Sequence, residues 1–210
     1  MEKPVTSKID LISNFMREKL SYLQQHSKMS STKAALANMR RGVGKIPGDI
    51  PALWGMLFEN LDDSMMSRNA EKGPSWEEWS LYISLTIFAV HQQGKDLEKE
   101  FMHKPGETIG KAIQKLVKDE ESENRVLRRF NVLATSVGMQ EIQHHLRGIV
   151  QLLNTNSLPL DYIQLACDIY KWQTPDGPQK VRLIWGQDYY SSIKKENDDK
   201  SSQTKELTHD

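Results

Sequence analysis

The chain has 210 residues, with 28 Lys and Arg balancing 28 Asp and Glu, a formal net charge of +0 and 38% hydrophobic residues. That suits one globular domain or two small ones and argues against indiscriminate polyanion binding by bulk charge. No apolar run reaches the ~18 residues of a membrane span; the longest, Leu81 to Val90, is interrupted by Ser84 and Thr86. The single Cys167 excludes an internal disulfide, and its neighbours Ile163, Ala166 and Ile169 make it a small buried filler.

Met1-Glu2-Lys3 leads into a helix with no apolar stretch of the secretion type, so cytoplasm is the consistent compartment. Ile12, Phe15, Met16, Leu20 and Leu23 follow at helical spacing and predict a first helix over Ile9 to Leu23. Ser31 is set to cap a second helix, Thr32 to Arg41, closed by Gly42 as the residue after its end. On it Lys33 and Arg40 superimpose, seven residues apart, while Ala35 and Met39 point away. Gly42 to Gly48 is a loop rich in breakers, after which Asp49 caps a helix beginning near Pro51. Ser75-Trp76-Glu77-Glu78 is a capping box that opens a long helix through Trp79, Ile83, Ile87 and Val90, ending at Gly94.

Residues 95–107 are polar and read as a linker between an N-terminal helical bundle, 1–94, and a C-terminal one, 108–190. In the second half, Ile109, Ile113, Leu116 and Val117 form an apolar stripe opposite Lys111, Lys115 and Lys118. An acidic link, Asp119 to Glu123, precedes a helix from Asn124 to Ala134 with Val126, Phe130 and Leu133 inward and Arg125, Arg128 and Arg129 on its flank. Met139 to Leu153 is expected to bury Met139, Ile142, Leu146, Ile149, Val150 and Leu153 and to leave Arg147 outside. A helix with Pro159 in its first turn runs to Trp172, and Pro178 opens the last one, where Val181, Trp185 and Tyr189 stack on one face and need Trp172 as a partner. Residues 191–210 have the composition of a disordered tail. No useful period-two alternation occurs, so the fold is expected to be all-α, two small bundles packed together with about eight to nine helices.

Zero net charge hides segregation. Between Glu18 and Asp49 there is no acidic residue, yet Lys19, Lys28, Lys33, Arg40, Arg41 and Lys45 fall there. Arg40-Arg41 and Arg128-Arg129 are doublets beside well-defined core stripes. The planar guanidinium fork suits phosphate, so these faces are candidates for holding a nucleic-acid backbone without reading its sequence. A basic helix face can equally be solvated surface, and an adaptor module whose basic helix binds an acidic protein partner is the alternative from another class.

Catalytic signatures are missing. There is no Gly-rich phosphate loop, CxxC pair, HExxH or GxSxG. His144 and His145 diverge by about 100° on a helix and cannot grip one ion unaided. The acid pairs Asp62-Asp63 and Glu77-Glu78 read as first-turn or solvated charges. Neither an enzyme nor a cofactor is expected. For Trp79 and Trp185 helical position favours core packing over nucleotide stacking, while Trp54 and Trp76 stay open.

Leu158-Pro159-Leu160-Asp161-Tyr162 ending in Trp172, then Val181-Arg182-Leu183-Ile184-Trp185-Gly186-Gln187-Asp188-Tyr189-Tyr190, resembles the small subunit of the type I-E CRISPR surveillance complex Cascade, the CasB family. The resemblance continues through Gly110-Lys111-Ala112, Leu127-Arg128-Arg129-Phe130, His144-His145-Leu146-Arg147, and Met39-Arg40-Arg41-Gly42 with Ile50-Pro51-Ala52-Leu53-Trp54, covering about residues 30 to 190. It implies a two-copy subunit that contacts other Cascade subunits and supports the crRNA–target heteroduplex and the displaced non-target strand. Carried onto matching positions, it marks Arg40, Arg41, Lys111, Arg128, Arg129, Arg147 and Arg182; helical placement adds Lys33, Lys45, Lys115, Arg125 and Lys180. Ile184 and Gln187 depart from the pattern, where relatives commonly carry a basic residue.

Overall fold

Apolar residues recurring every three or four positions become nine α-helices among the residues that the computed structural model describes, 6–206, with side chains through 192 apart from Ala70. α1 (Lys8–Gln25), α2 (Ser30–Arg41), α3 (Trp54–Phe58) and α4 (Trp76–His91) precede α5 (Ile109–Gln114), α6 (Glu120–Ala134), α7 (Met139–Thr155), α8 (Tyr162–Trp172) and α9 (Gly177–Glu206). Among the described residues no strand forms, and one isolated parallel bridge joins His103 to Leu160. The expected disordered tail over 191–210 concerns, from 193 onward, side chains outside the described ones; the α9 backbone is helical through Glu206.

α4 is the centre. Its start is fixed by the capping box, in which the Glu78 amide donates to Ser75 Oγ at 3.0 Å and the Ser75 amide donates to Glu78 Oε2 at 2.6 Å. From Ser80 through His91 every residue is buried, as a helix apolar all round requires. α2, α7 and α8 pack on it, and α8 also lies along α1. One hydrophobic cluster therefore runs through helices of both halves. The stripe expected on the last helix meets its expected partner: Trp172 and Trp185 lie with ring centroids 5.3 Å apart, and Val181, Trp185 and Tyr189 are all buried. Trp185 Nε1 donates to the buried Asp168 carboxylate at 2.8 Å, which satisfies both groups. Cys167 is buried, as expected, with its sulfur 3.2 Å from Ser13 Oγ.

Several local expectations change. α2 begins at Ser30 behind Met29, which offers no side-chain cap. Asp49 caps no helix: its carboxylate accepts the Ile46 amide, and Pro51–Leu53 is a 3₁₀ turn before α3. Asp119 to Glu123 is the first turn of α6 rather than a link, because Asp119 accepts the Ser122 amide and Ser122 Oγ accepts that of Asp119. Pro159 precedes α8 instead of joining it, since Asp161 caps that helix by accepting the Ile163 and Gln164 amides. Gly42 has φ −72°, within reach of any residue; glycine is needed there because a Cβ would sit 2.9 Å from the Tyr82 hydroxyl and 3.0 Å from Leu53 and Thr86.

α5 departs furthest. The apolar stripe continues to Val117, but the helix stops at Gln114. Gly110 lies against the α9 backbone, where a Cβ would meet the Trp185 carbonyl oxygen at 2.2 Å. Lys111, Lys115 and Lys118 consequently do not share one helical face.

Candidate nucleic-acid interface

α2 turns Thr32, Leu36 and Met39 inward and so presents Lys33 and Arg40 outward. These two line an open cleft of about 310 Å³ with Lys28, Lys95, Asp96 and Glu98. Lys28 pairs with Glu98 at 3.3 Å and Lys95 with Glu100 at 3.2 Å, whereas Lys33 and Arg40 have no ion-pair partner among the described residues. Arg41 and Lys45 are exposed and equally unpaired there. Lys19, from the same acid-free run, is turned inward: its ammonium donates to the Glu59 carbonyl at 2.9 Å, and burial lowers its pKa.

A second basic surface lies along α6 and α7. Arg128, Arg129, His144, His145 and Gly148 line a groove of about 230 Å³, and an adjoining one of about 370 Å³ shares Arg129 and adds Lys118 and Arg125. Gly148 leaves room there, since the Arg129 guanidinium comes to 3.8 Å of where its Cβ would be. Arg125 pairs with Glu121 at 2.7 Å. Both partners are well exposed, so that pair is worth at most about 0.5 kcal/mol and yields readily to a phosphate. His145 lies 3.7 Å from Glu141, and His144 is exposed.

Gln143 joins the two surfaces. Its buried side chain accepts the Gly44 amide at 2.7 Å and donates to Thr86 Oγ1 at 3.0 Å. The loop that carries Lys45 is thereby held against α7, one helical turn from the exposed Arg147.

The remaining candidates are scattered and mostly engaged. Lys111 donates to the Gly106 carbonyl at 3.0 Å, and Lys115 pairs with Glu107 at 2.6 Å. Partial burial works to raise the Glu107 pKa, but Lys115 and Lys104 outweigh it and leave the carboxyl below its ordinary value. Arg182 lies over the Trp172 ring, 5.1 Å from its centroid, while Lys180 is exposed and unpaired among the described residues. Among the described residues no group of three or more His, Cys, Asp or Glu could hold a metal ion, and no helix is long and apolar enough to cross a membrane.

Residues 35–190 match the family of CRISPR-associated protein Cse2. The chain belongs to that family. Its fold is similar to the crystal structure of CasB from Thermobifida fusca, at 30% identity and a TM-score of 0.71 over 85% of this chain and 97% of that one. CasB from Thermus thermophilus (22% identity, TM-score 0.62, 83% of this chain and 97% of that one) and M. ruber CasB (23%, 0.59, 85% and 96%) share the fold. Among curated proteins none matches by sequence. Every motif that carried the resemblance to the CasB family lies inside the stretch matched to Cse2. What sequence reasoning left outside its candidates is the setting of the basic groups: Lys118, His144 and His145 in the α6–α7 grooves, Lys28 and Lys95 in the α2 cleft. The signal for His144 was its place one turn before Gly148, which only the presence of α6 alongside makes meaningful.

Proposed function

We propose that this Cse2-family protein is a non-catalytic, nucleic-acid-binding small subunit of type I-E Cascade, acting in the cytoplasm. Its two basic surfaces hold phosphate backbones of the crRNA–target heteroduplex and of the displaced non-target strand. It works beside the other Cascade subunits and a second copy of itself. What supports this reading is the Gln143 bridge, which ties the loop that carries Lys45 to α7, the helix that bears Arg147 and shares a groove with Arg128 and Arg129. Two elements that bear exposed cations unpaired among the described residues are thus tied together. Strand exchange between a heteroduplex and a DNA duplex is close to balanced in pairing energy, so backbone contacts to the products shift it toward the open state.

Binding to single-stranded DNA, titrated with salt, tests this for wild type and for the Arg128→Ala, Arg129→Ala double variant. Each lost phosphate contact removes about 0.7 from the log–log salt slope on a single strand, so two arginines should remove about 1.4 together with affinity. Circular dichroism verifies that the variant stays helical. R-loop formation by the assembled complex should fall in parallel. Wild-type protein that binds no nucleic acid at low salt, in a complex whose R-loops are indifferent to both arginines, overturns the proposal.

A further inference from the structure

Trp54 follows the fully buried Leu53, yet half of its own surface is exposed (50%). The ring is not free to swing. Its indole N–H donates to the Gly48 carbonyl at 3.1 Å, which lays it against the end of the loop that follows Arg41. That loop is itself braced. The Tyr82 hydroxyl donates to the Gly42 carbonyl at 2.7 Å, Gln143 accepts the Gly44 amide, and Asp49 accepts the Ile46 amide at 3.1 Å. Gly44 and Gly48 have open space where a side chain would stand, so another chain can approach the loop backbone closely.

Arg41 and Lys45 are exposed and unpaired among the described residues, and the Asp49 carboxylate, at the end of the loop, accepts the Ile46 amide and pairs with neither of them. A fixed, exposed aromatic face hydrogen-bonded to a loop that carries one free cation and follows another is the chemistry that holds an unpaired nucleobase, since every base has a π-face and its flanking phosphates are anionic. A duplex cannot use it, because its bases are stacked on one another. We propose that Trp54 is a stacking platform for one base of a single strand, with Arg41 and Lys45 holding the adjacent phosphates. This rests on the nucleic-acid reading above and adds to it a contact with a base, where that reading has backbone contacts only.

Full-length wild type, Trp54→Ala and Trp54→Phe are titrated with a short oligothymidylate, with an abasic oligomer of equal length, and with duplex DNA, at one salt concentration. Stacking on one base predicts that Trp54→Ala weakens oligothymidylate binding about 5- to 140-fold. It also predicts that Trp54→Ala leaves abasic and duplex binding within about twofold, and that the variant loses the part of the tryptophan fluorescence quenched by oligothymidylate. Trp54→Phe keeps a ring without the indole N–H, so it should retain most of the affinity; if Phe fails as Ala does, bracing of the loop explains the loss and stacking is refuted. Equal weakening of base-bearing and abasic oligomers refutes it too, as does an unchanged affinity with the quenching intact, and in both cases backbone binding stands. A Trp54→Ala protein that binds DNA normally but no longer joins the complex makes Trp54 a protein contact instead. Should wild type bind none of the three probes, the nucleic-acid reading itself falls.

Discussion

Gly110→Ala probes the close approach between α5 and α9. The new methyl would stand 2.2 Å from the Trp185 carbonyl oxygen and 2.8 Å from both Asp188 Cβ and the Tyr189 amide nitrogen. Carbon and carbonyl oxygen rest at about 3.3 Å, so α5 and α9 must separate by roughly 1 Å. Two of the three obstacles are backbone, and no rotamer change relieves them. Moving α9 would also draw Val181, Trp185 and Tyr189 out of their packing, and all three are buried to within 1%. Overpacking a core costs about 1–3 kcal/mol, and a backbone clash places this case near 3. In a chain of this length that lowers the melting temperature by roughly 6–12 °C.

Gly148→Ala is the matched control. It too is a glycine inside a helix, but its Cβ would meet only the Arg129 guanidinium, at 3.8 Å. Alanine there should leave stability unchanged or raise it by up to about 1 kcal/mol. Thermal unfolding followed by circular dichroism compares the three proteins. If Gly110→Ala melts with wild type, or if both variants fall equally, the close approach does not explain the glycine.

Burial pulls the pKa of His91 down to about 4 from 6.5. An unfolded chain takes up this proton below about pH 6.5 while the folded chain refuses it, so stability present at neutral pH is lost as the pH falls toward 4, by about 3 kcal/mol. Urea unfolding at pH 7 and pH 4.5 should show that loss in wild type and less of it in His91→Asn; equal losses would remove His91 as the cause. Ser75→Ala deletes the α4 cap and also the hydroxyl's bond to the Met65 carbonyl at 2.6 Å. A loss of about 1–2 kcal/mol is expected in the same melts, with Ser75→Asp, which restores only the cap, in between; wild-type stability in Ser75→Ala would refute the role.

Features that the sequence made legible are those governed by neighbours in the chain. The Ser75–Glu78 box, the burial of α4 and the Val181, Trp185, Tyr189 stripe each follow from spacing within a few residues. What it did not make legible depends on distant partners. Periodicity carried the α5 stripe to Val117, but Gly110 docks on Trp185, 75 residues later in the chain, and the turn ends early. Lys19 looked like one more member of a basic run until the Glu59 carbonyl, 40 residues on, accepted its ammonium. Gly42 looked like a helix stop, while the Tyr82 hydroxyl gives the reason for it. For the candidate interface, the cations themselves were visible as doublets and an acid-free stretch. Their sorting into free groups such as Arg41 and engaged ones such as Lys115 required the fold.

The packing of α8 along α1 has a consequence for biosynthesis. Ser13 and Cys167 touch at 3.2 Å across 154 residues of chain. At 5–20 residues per second, a ribosome needs roughly 8–30 s to make that interval. For that time α1, with the apolar residues Ile12, Phe15 and Met16 on it, has been made while α8, which packs along it, does not yet exist. The first helix of the protein must therefore wait, sticky side outward, for almost the last.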